Sequence, residues 1–358
     1  MNSGIKKTDF LIVGAGIAGT TLALELNSLG KSVHVTDLES PNSSSRIAAG
    51  ILNPVVPKGV TCTWQIESIY PAVFDYYRKW EQQTGSRFIK EIPFITLHKT
   101  EDEYKQWAKK YEQEPMKTWI EPAESPTWQD KNQNRGASNT KFAGRLDVAD
   151  FLKSSKRFLI EQGVQWNSES FLLNDTEEIS FFDNLRLNNI NYNSIVFCLG
   201  INDRLNPLFP GLFFDPTGGD ILTVSIPGLP QECMLKRGLW LVPIGGECWL
   251  AGSNFHKGDI SEHPQPQDAQ HLLEQLSSWI PYPIELITHR RGVRPTVQNR
   301  RPYLGRSPLK EFHYCYIFNG LGSKGSSLCS WLSPMMAAFL CGSSTLHKEV
   351  DIRRFYKN

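Results

Sequence analysis

Gly14, Gly16 and Gly19 stand in the order G-x-G-x-x-G, directly after the apolar run 9–13 (DFLIV). A stretch with apolar residues at helical spacing follows them: Leu22, Ala23, Leu26 and Leu29. The chemistry open to such a loop is anion binding. Glycines let backbone N–H groups approach a pyrophosphate, and the positive end of the next helix attracts it. Ile17 and Ala18, at the start of that helix, belong to the same candidate site. Asp37 ends a second apolar run, 32–37, where a carboxylate can bind a ribose 2′-hydroxyl. It would repel a 2′-phosphate, which argues against NADP if Asp37 rather than Glu39 is the ribose ligand. FAD and NAD both remain open.

Other residues of useful type follow. In 45–54 (SRIAAGILNP), Ala48, Ala49 and Gly50 would let backbone lie close to a flat ligand, although simple helix packing explains them equally. The apolar run 193–199 ends at Gly200, a second strand end near the nucleotide. A second glycine loop, 319–325 (NGLGSKG), follows the run 314–318 and opens the mostly apolar stretch 326–340. It can bring another helix N-terminus to the ligand. No convincing Ser/His/Asp set or metal cluster is visible. The eight histidines are scattered, and His289 reads as structural.

These residues need elements to hold them. Strands are expected at 9–13, 32–37, 89–97, 164–166, 193–199, 221–226, 233–236, 239–244, 248–251, 284–293 and 314–318. Helices are expected at 18–29, closed by Gly30; 64–83, closed by Gly85; 100–112; 148–162, with Asp147 as N-cap; 267–279; and 326–340. Residues 113–141 read as irregular connections. The close strand spacing after Gly219 suggests an antiparallel sheet flooring a substrate domain.

At 358 residues, with 40% hydrophobic and 21% charged, the chain can bury the cores of two ordinary domains. A net charge of +1 gives no global attraction to nucleic acid. Locally, 286–310 carries Arg290, Arg291, Arg294, Arg300, Arg301, Arg306 and Lys310 without an acid. The seven cysteines form no CxxC pair and read as reduced thiols. No long uninterrupted apolar segment is present, so the expectation is a soluble cytoplasmic protein with no membrane partner.

Four stretches in order resemble the D-amino acid oxidase-like family of FAD-dependent oxidoreductases, which includes glycine and sarcosine oxidases. They are VGAGIAG with Asp37, SRIAAGILNP, GVRPTVQNRRPYLGRSP (292–308) and NGLGSKGSS (319–327). Weaker matches, GRLD (144–147), IVFCLG (195–200) and WLVPIGGECWLAGS (240–253), lie between them. The resemblance implies non-covalent FAD and an α/β fold, α+β overall: a Rossmann-type FAD-binding domain with an inserted antiparallel-sheet substrate domain. The implied boundaries are 1–85, 142–213 and 292–358 for the FAD-binding domain, and 86–141 and 214–291 for the substrate domain.

By position, Gly14, Gly16 and Gly19 would hold the pyrophosphate and Asp37 the ribose. Ser45, Arg46 and Ala48 to Gly50 would flank the flavin. Gly322, Ser323, Lys324, Gly325 and Ser326 would close over its pyrimidine edge. Arg294 would bind a substrate carboxylate, as the matching Arg does in glycine oxidase-like relatives. Trp240 stands where glycine oxidase uses a Tyr for substrate, and Asn299 where relatives often have Asp.

The implied reaction is hydride transfer from the Cα–H of a small amine or amino acid to flavin N5, followed by imine hydrolysis. Within the family, GVRPT…RRPYLG and GLGSKG are most similar to the flavin half of a bifunctional bacterial enzyme of the tRNA wobble uridine, with Lys324 in place of its Arg. Three readings therefore stand: a small-molecule amino acid or N-substituted glycine oxidase, a tRNA-acting flavoenzyme, and a flavin dehydrogenase or non-catalytic flavoprotein. The oligomeric state is left open.

Overall fold

The computed structural model describes residues 6–128, 135–168, 186–187 and 190–356. Parts of the expected segments 86–141 and 142–213 therefore lie outside the described residues.

The strand Lys6–Val13 lies inside a seven-stranded sheet. Across the sheet the order is Gln165–Asn167, Val33–Thr36, Lys6–Val13, Ile190–Phe197, Cys315–Asn319, Tyr303–Arg306. The first five run parallel. Tyr303–Arg306 is antiparallel to its neighbour, and Arg186–Leu187 pairs antiparallel with Ile190–Phe197. Side chains alternate across a strand, and here both faces are covered. Phe10 and Ile12 join the core beneath the helices Ile17–Ser28 and Gly325–Leu340, while Leu11 and Val13 face Leu208, Phe209 and Leu212. That double burial accounts for the continuous apolar run in the sequence. Because the strands are parallel, Val13, Thr36, Phe197 and Ile317 lie in register at one end. The glycine loop, Asp37, Gly200 and the second glycine loop thus leave the sheet on the same side.

A nine-stranded sheet takes strands from two distant stretches. Its order is His256–Lys257, Thr217–Ser225, Cys248–Gly252, Leu239–Gly245, Met234–Arg237, Phe94–Leu97, Ala137–Thr140, Ile120–Ala123, with Glu285–Arg294 also on Thr217–Ser225. Only the Met234–Arg237 and Phe94–Leu97 pairing is parallel. The helix Pro266–Ser277 covers one face through Leu272 and Leu276. On the other face Phe94, Ile221, Met234, Val242 and Leu250 pack against Ala49, Ile92 and Ala143. Among the described residues no helix is long and apolar enough to cross a membrane.

Four expectations are corrected. The single helix over 64–83 is two, Ile66–Ile69 and Ala72–Thr84, because Pro71 keeps Tyr70 out of the helical region. The strand over 89–97 is also two. Ile89–Glu91 pairs in a three-stranded sheet with Gly144–Leu146, and Phe94–Leu97 enters the nine-stranded sheet; Pro93 separates them. Residues 113–141 are not simply irregular, since Ile120–Ala123 and Ala137–Thr140 form an antiparallel pair at a sheet edge. Pro122 is tolerated there because an edge strand leaves N–H groups unpaired. Finally, Glu285–Arg294 runs through the boundary expected at 291/292, so Arg294 belongs to the nine-stranded sheet. The Asp147 cap holds: its Oδ1 accepts from the Asp150 N–H at 3.1 Å.

Gly50 marks the tightest contact between the 45–54 stretch and its neighbours. Its φ is +70°, and a Cβ there would stand 1.8 Å from the Leu146 carbonyl oxygen. Gly50→Ala combines a left-handed strain with a backbone clash. It is expected to destabilise the protein by more than ~1 kcal/mol. Urea unfolding would report this as a lower midpoint, and an unchanged midpoint would refute the packing role of Gly50.

Candidate functional site

The glycine loop is shaped by two close backbone approaches. A Cβ on Gly14 (φ +96°) would lie 2.6 Å from the Cys198 carbonyl oxygen, and one on Gly19 would lie 1.9 Å from the Gly14 carbonyl oxygen. Gly16 is the N-cap of Ile17–Ser28, with no side-chain cap and no acid in the first turn. The first-turn N–H groups of a helix lack intrahelical acceptors. Here the Ile17 N–H donates to Ser45 Oγ at 3.0 Å, and Ala18 is the next residue in that turn. Ser45 sits on the short helix Ser44–Ile47, so the 45–54 stretch meets the loop directly.

Asp37 lies at the carboxyl end of Val33–Thr36. Its Oδ1 accepts from the Ala15 N–H at 3.0 Å, and its Oδ2 accepts from the Glu39 N–H at 3.0 Å and from Arg46 at 3.2 Å. It therefore braces the glycine loop, a role the sequence did not reveal. Glu39 is engaged by Lys156, by Trp166 Nε1 at 3.3 Å and by Ser168 Oγ at 2.8 Å. Of the two acids, Asp37 is the one that contacts the loop itself. The arrangement, a glycine at the helix N-terminus with no acid in the first turn and a carboxylate at the next strand end, fits the pyrophosphate and ribose of a dinucleotide.

The second glycine loop closes on the first. A Cβ on Gly325 would stand 3.0 Å from Ile17 Cγ2, so two helix N-termini adjoin. Gly322 (φ +55°) packs over Thr296, and its N–H donates to the Pro295 carbonyl at 3.3 Å. Ser323 is exposed, and the Ser326 carbonyl accepts from Tyr77 Oη at 2.6 Å. The Lys324 Nζ donates to the Asn53 carbonyl at 2.9 Å, tying this loop to the end of the 45–54 stretch. Burial lowers its pKa from the ordinary 10.5 to about 8. Gly200 (φ +58°) offers its carbonyl to Asn319 Nδ2 at 2.7 Å.

Ala48 is partly buried, and Ala49 joins the apolar cluster between the sheets, against which Trp240 packs. The Trp240 indole lies over Gly252, where a Cβ would come within 2.8 Å of the ring. Arg294 is half-buried and charged. Its guanidinium donates to the Gly218 carbonyl at 3.3 Å and to Ser253 Oγ at 2.7 Å, and stacks 4.7 Å from the Phe255 ring centre. Gly219 makes room for it, since a Cβ there would be 2.3 Å from Nη1. Among the described residues Arg294 has no carboxylate within 4.0 Å.

The basic run is not one face. Arg291 is buried in ion pairs, Arg301 pairs with Glu349 at 2.8 Å, and Arg306 lies on the Tyr316 ring. His289 is bonded to Asp220 at 2.7 Å. Sequence reasoning missed Asp203. Its carboxylate accepts from the Leu199 N–H, Asn206 Nδ2 and Asn319 Nδ2, joining two strand ends beside the loop. Burial raises it to about 6. No local signal distinguishes Asp203 from a surface turn acid. Ser253 and Phe255 were likewise not singled out.

The family model described as "FAD dependent oxidoreductase" matches residues 9–338. A D-amino-acid oxidase of Rubrobacter xylanophilus is 24% identical over 354 residues, 93% of this chain and 96% of that one. A tRNA 5-methylaminomethyl-2-thiouridine biosynthesis bifunctional protein of Polaromonas naphthalenivorans is 28% identical over 106 residues. That match spans 27% of this chain and 16% of the relative. The crystal structure of a glycine oxidase from Bacillus cereus superposes with a TM-score of 0.79 at 17% identity, covering 94% of this chain and 96% of that one.

Three outcomes follow from the site. Gly16→Val puts branched carbons against Ser45 Oγ, which already stands 3.0 Å from a Cβ at this position. The variant should purify without the yellow of bound flavin; a yellow variant of normal flavin affinity would refute the loop's role. With Lys324 in its expected place at the flavin's pyrimidine edge, Lys324→Met should lower the flavin reduction potential, because a positive charge there favours the anionic reduced form. An unchanged potential in spectroelectrochemical titration would remove Lys324 from that role. The lowered lysine pKa has a second consequence. Between about pH 8 and 10.5 the unfolded chain binds more protons at Lys324 than the folded chain. Apoprotein stability at this group therefore rises with pH across that window, and Lys324→Met should lose the rise.

Proposed function

This chain belongs to the family of FAD-dependent oxidoreductases, and we propose that it oxidises the C–N bond of a small amino acid or N-substituted glycine. As in its relatives, the work is amine or amino acid oxidation, and bound FAD supplies the acceptor for the hydride leaving the substrate carbon. The observation that carries the reading is Arg294. It is a half-buried cation without a carboxylate partner among the described residues, held from behind by Gly218 and Ser253. Its strand leads through Pro295 and Thr296 to the packing contact with Gly322.

A guanidinium fork pairs with a carboxylate through two parallel hydrogen bonds, which sets the orientation of the carbon beside it. Trp240 packs at the margin of the apolar cluster that contains Ala49, and in this reading its indole helps to keep water from the reacting carbon. Lys324 contributes positive charge from its anchor on the Asn53 carbonyl. In this reading Gly14, Gly16, Ile17, Ala18 and Gly19 carry the pyrophosphate, Asp37 the ribose, and Ser45 to Gly50 with Gly322 to Ser326 the flavin, held without a covalent bond. The substrate loses two electrons and two protons, and the resulting imine is hydrolysed to a carbonyl product. Either oxygen or a partner acceptor can take the electrons onward; peroxide production separates these.

Less supports a tRNA substrate. The relative that acts in tRNA modification matches over only 27% of this chain. The arginines of 286–310 are also largely committed to internal pairs and stacking.

Anaerobic mixing with glycine, sarcosine, proline and D-amino acids tests the function directly: one of them should bleach the flavin. Bleaching by none of these, with bleaching by carboxymethylaminomethyl-uridine instead, would favour the tRNA reading. For the substrate that bleaches, Arg294→Ala should cost about 2–3 kcal/mol in kcat/KM, the scale of a charge-assisted pair. Arg294→Lys should already weaken binding, because an ammonium cannot reproduce the fork. Amines lacking a carboxylate should be nearly indifferent, and equal losses for both substrate types would refute the assignment.

A further inference from the structure

Arg291 is 2% exposed and Asp220 0%. Charges buried this deeply persist only when paired. The Arg291 guanidinium spans three carboxylates. Nη1 donates to Asp220 and, at 3.3 Å, to Asp268, while Nη2 donates to Asp259. Its Nε donates to the Ser261 carbonyl at 3.2 Å. The second Asp220 oxygen lies 2.7 Å from His289 Nε2, and His256 Nε2 is 3.1 Å from Asp268. Asn254 completes the cluster: its Oδ1 accepts from the Asp220 N–H at 2.7 Å, and its Nδ2 donates to Asp268 at 3.2 Å. Asp220, His256 and Asp268 are close enough together to hold a metal ion. Arg291 already supplies the positive charge between Asp220 and Asp268.

The cluster joins three segments: the strands Thr217–Ser225 and Glu285–Arg294, and residues 253–268. The same three hold Arg294, through the Gly218 carbonyl, its own strand, and Ser253 with Phe255. The Gly218–Gly219 pair explains how two guanidinium groups share one place. Adjacent strand residues face opposite sides of a sheet. A Cβ on Gly218 would stand 3.0 Å from Arg291 Nη2, and one on Gly219 would stand 2.3 Å from Arg294 Nη1. Arg291 therefore lies on one face of the sheet and Arg294 on the other.

We infer that Arg291 and Asp220 are positioning residues for Arg294: they clamp 253–268 to the two strands from the far face, and so fix the Gly218 carbonyl and Ser253 hydroxyl that aim its guanidinium. The inference rests on Arg294 as the carboxylate anchor. It adds that the anchor's geometry is set by a charge cluster that never touches the ligand. Loss of the cluster should loosen the fork while leaving its charge in place.

The test titrates the FAD-loaded protein with glycolate, a small carboxylate, and with uncharged glycolamide, following the flavin absorbance. Arg291→Lys keeps the charge but cannot span three carboxylates. It should weaken glycolate by about tenfold, the worth of one misplaced charge-assisted hydrogen bond. Glycolamide affinity and FAD content should not change. Asp259→Asn cuts one half-exposed tether and should weaken glycolate in the same selective way, to a smaller extent. It decides the matter alone if Arg291→Lys does not fold. In an Arg294→Ala background, Arg291→Lys should add less than about twofold, because coupled residues are not additive.

Unchanged glycolate affinity in both cluster variants would overturn the inference. So would equal losses for the two probes, multiplicative losses in the double variant, or no glycolate binding by the unaltered protein. If Arg294→Ala weakens glycolate while the cluster variants do not, only the positioning role fails. If Arg294→Ala itself leaves glycolate binding unchanged, the anchor fails and the positioning role with it.

Discussion

The rest of the structure depends on how closely two backbones approach at the first glycine loop. A Cβ on Gly19 would stand 1.9 Å from the Gly14 carbonyl oxygen, nearer than any side chain can come. Only that closeness lets the helix Ile17–Ser28 start directly off the end of Lys6–Val13. Its N-terminus then falls at the sheet end where the other parallel strands finish. Gly14 is pressed against the Cys198 carbonyl in the same way, which ties the loop to Ile190–Phe197. One steric constraint thus brings Asp37, Gly200 and the second glycine loop to a common edge.

Two carboxylates tie that edge together by hydrogen bonding. Asp37 accepts from Ala15, Glu39 and Arg46, and Asp203 accepts from Leu199, Asn206 and Asn319. Each carboxylate joins nearby donors to one from a distant segment, Ala15 for Asp37 and Asn319 for Asp203. A buried polar group costs free energy unless it is partnered, so such groups resist rearrangement once their partners are assembled. The Arg291 cluster applies the same logic to the nine-stranded sheet. It places a fully paired guanidinium on one face, while Arg294 on the other has no carboxylate partner among the described residues.

The two sheets meet across a thin apolar seam. Ala49 and Ile92 pack against Phe94, Ile221, Met234, Val242 and Leu250, with Ile51 and Trp240 at its margin. Gly292 takes Ile47 at the same junction, where a Cβ would stand 2.1 Å from the Ile47 side chain. Small residues on both sides bring the 45–54 stretch and the strand of Arg294 close together. Lys324, anchored on Asn53, closes that arrangement from the second loop.

Much of this was legible in the amino-acid order, because it rests on local rules. A glycine loop between an apolar run and a helical period needs only short-range sterics, so the first βαβ unit, the second loop and the Asp147 cap follow from the sequence alone. Family resemblance added the FAD and the expected role of Arg294. Where the sequence misled, a proline or a distant pairing decided the outcome. Pro71 and Pro93 split elements that periodicity joined, and Pro122 hid an edge strand whose pairing partner lies beyond residues 129–134. The basic run 286–310 looked like one surface because linear order records charge but not facing. Strand alternation and the carboxylates of Asp220, Asp259 and Asp268 turn Arg291 inward, and only folding brings those acids to it. Glycines, turns and caps act over a few residues and can be read along the chain. Which buried charges meet, and that Arg294 meets no carboxylate among the described residues, depends on contacts between residues dozens of positions apart, and these the tertiary structure alone decides.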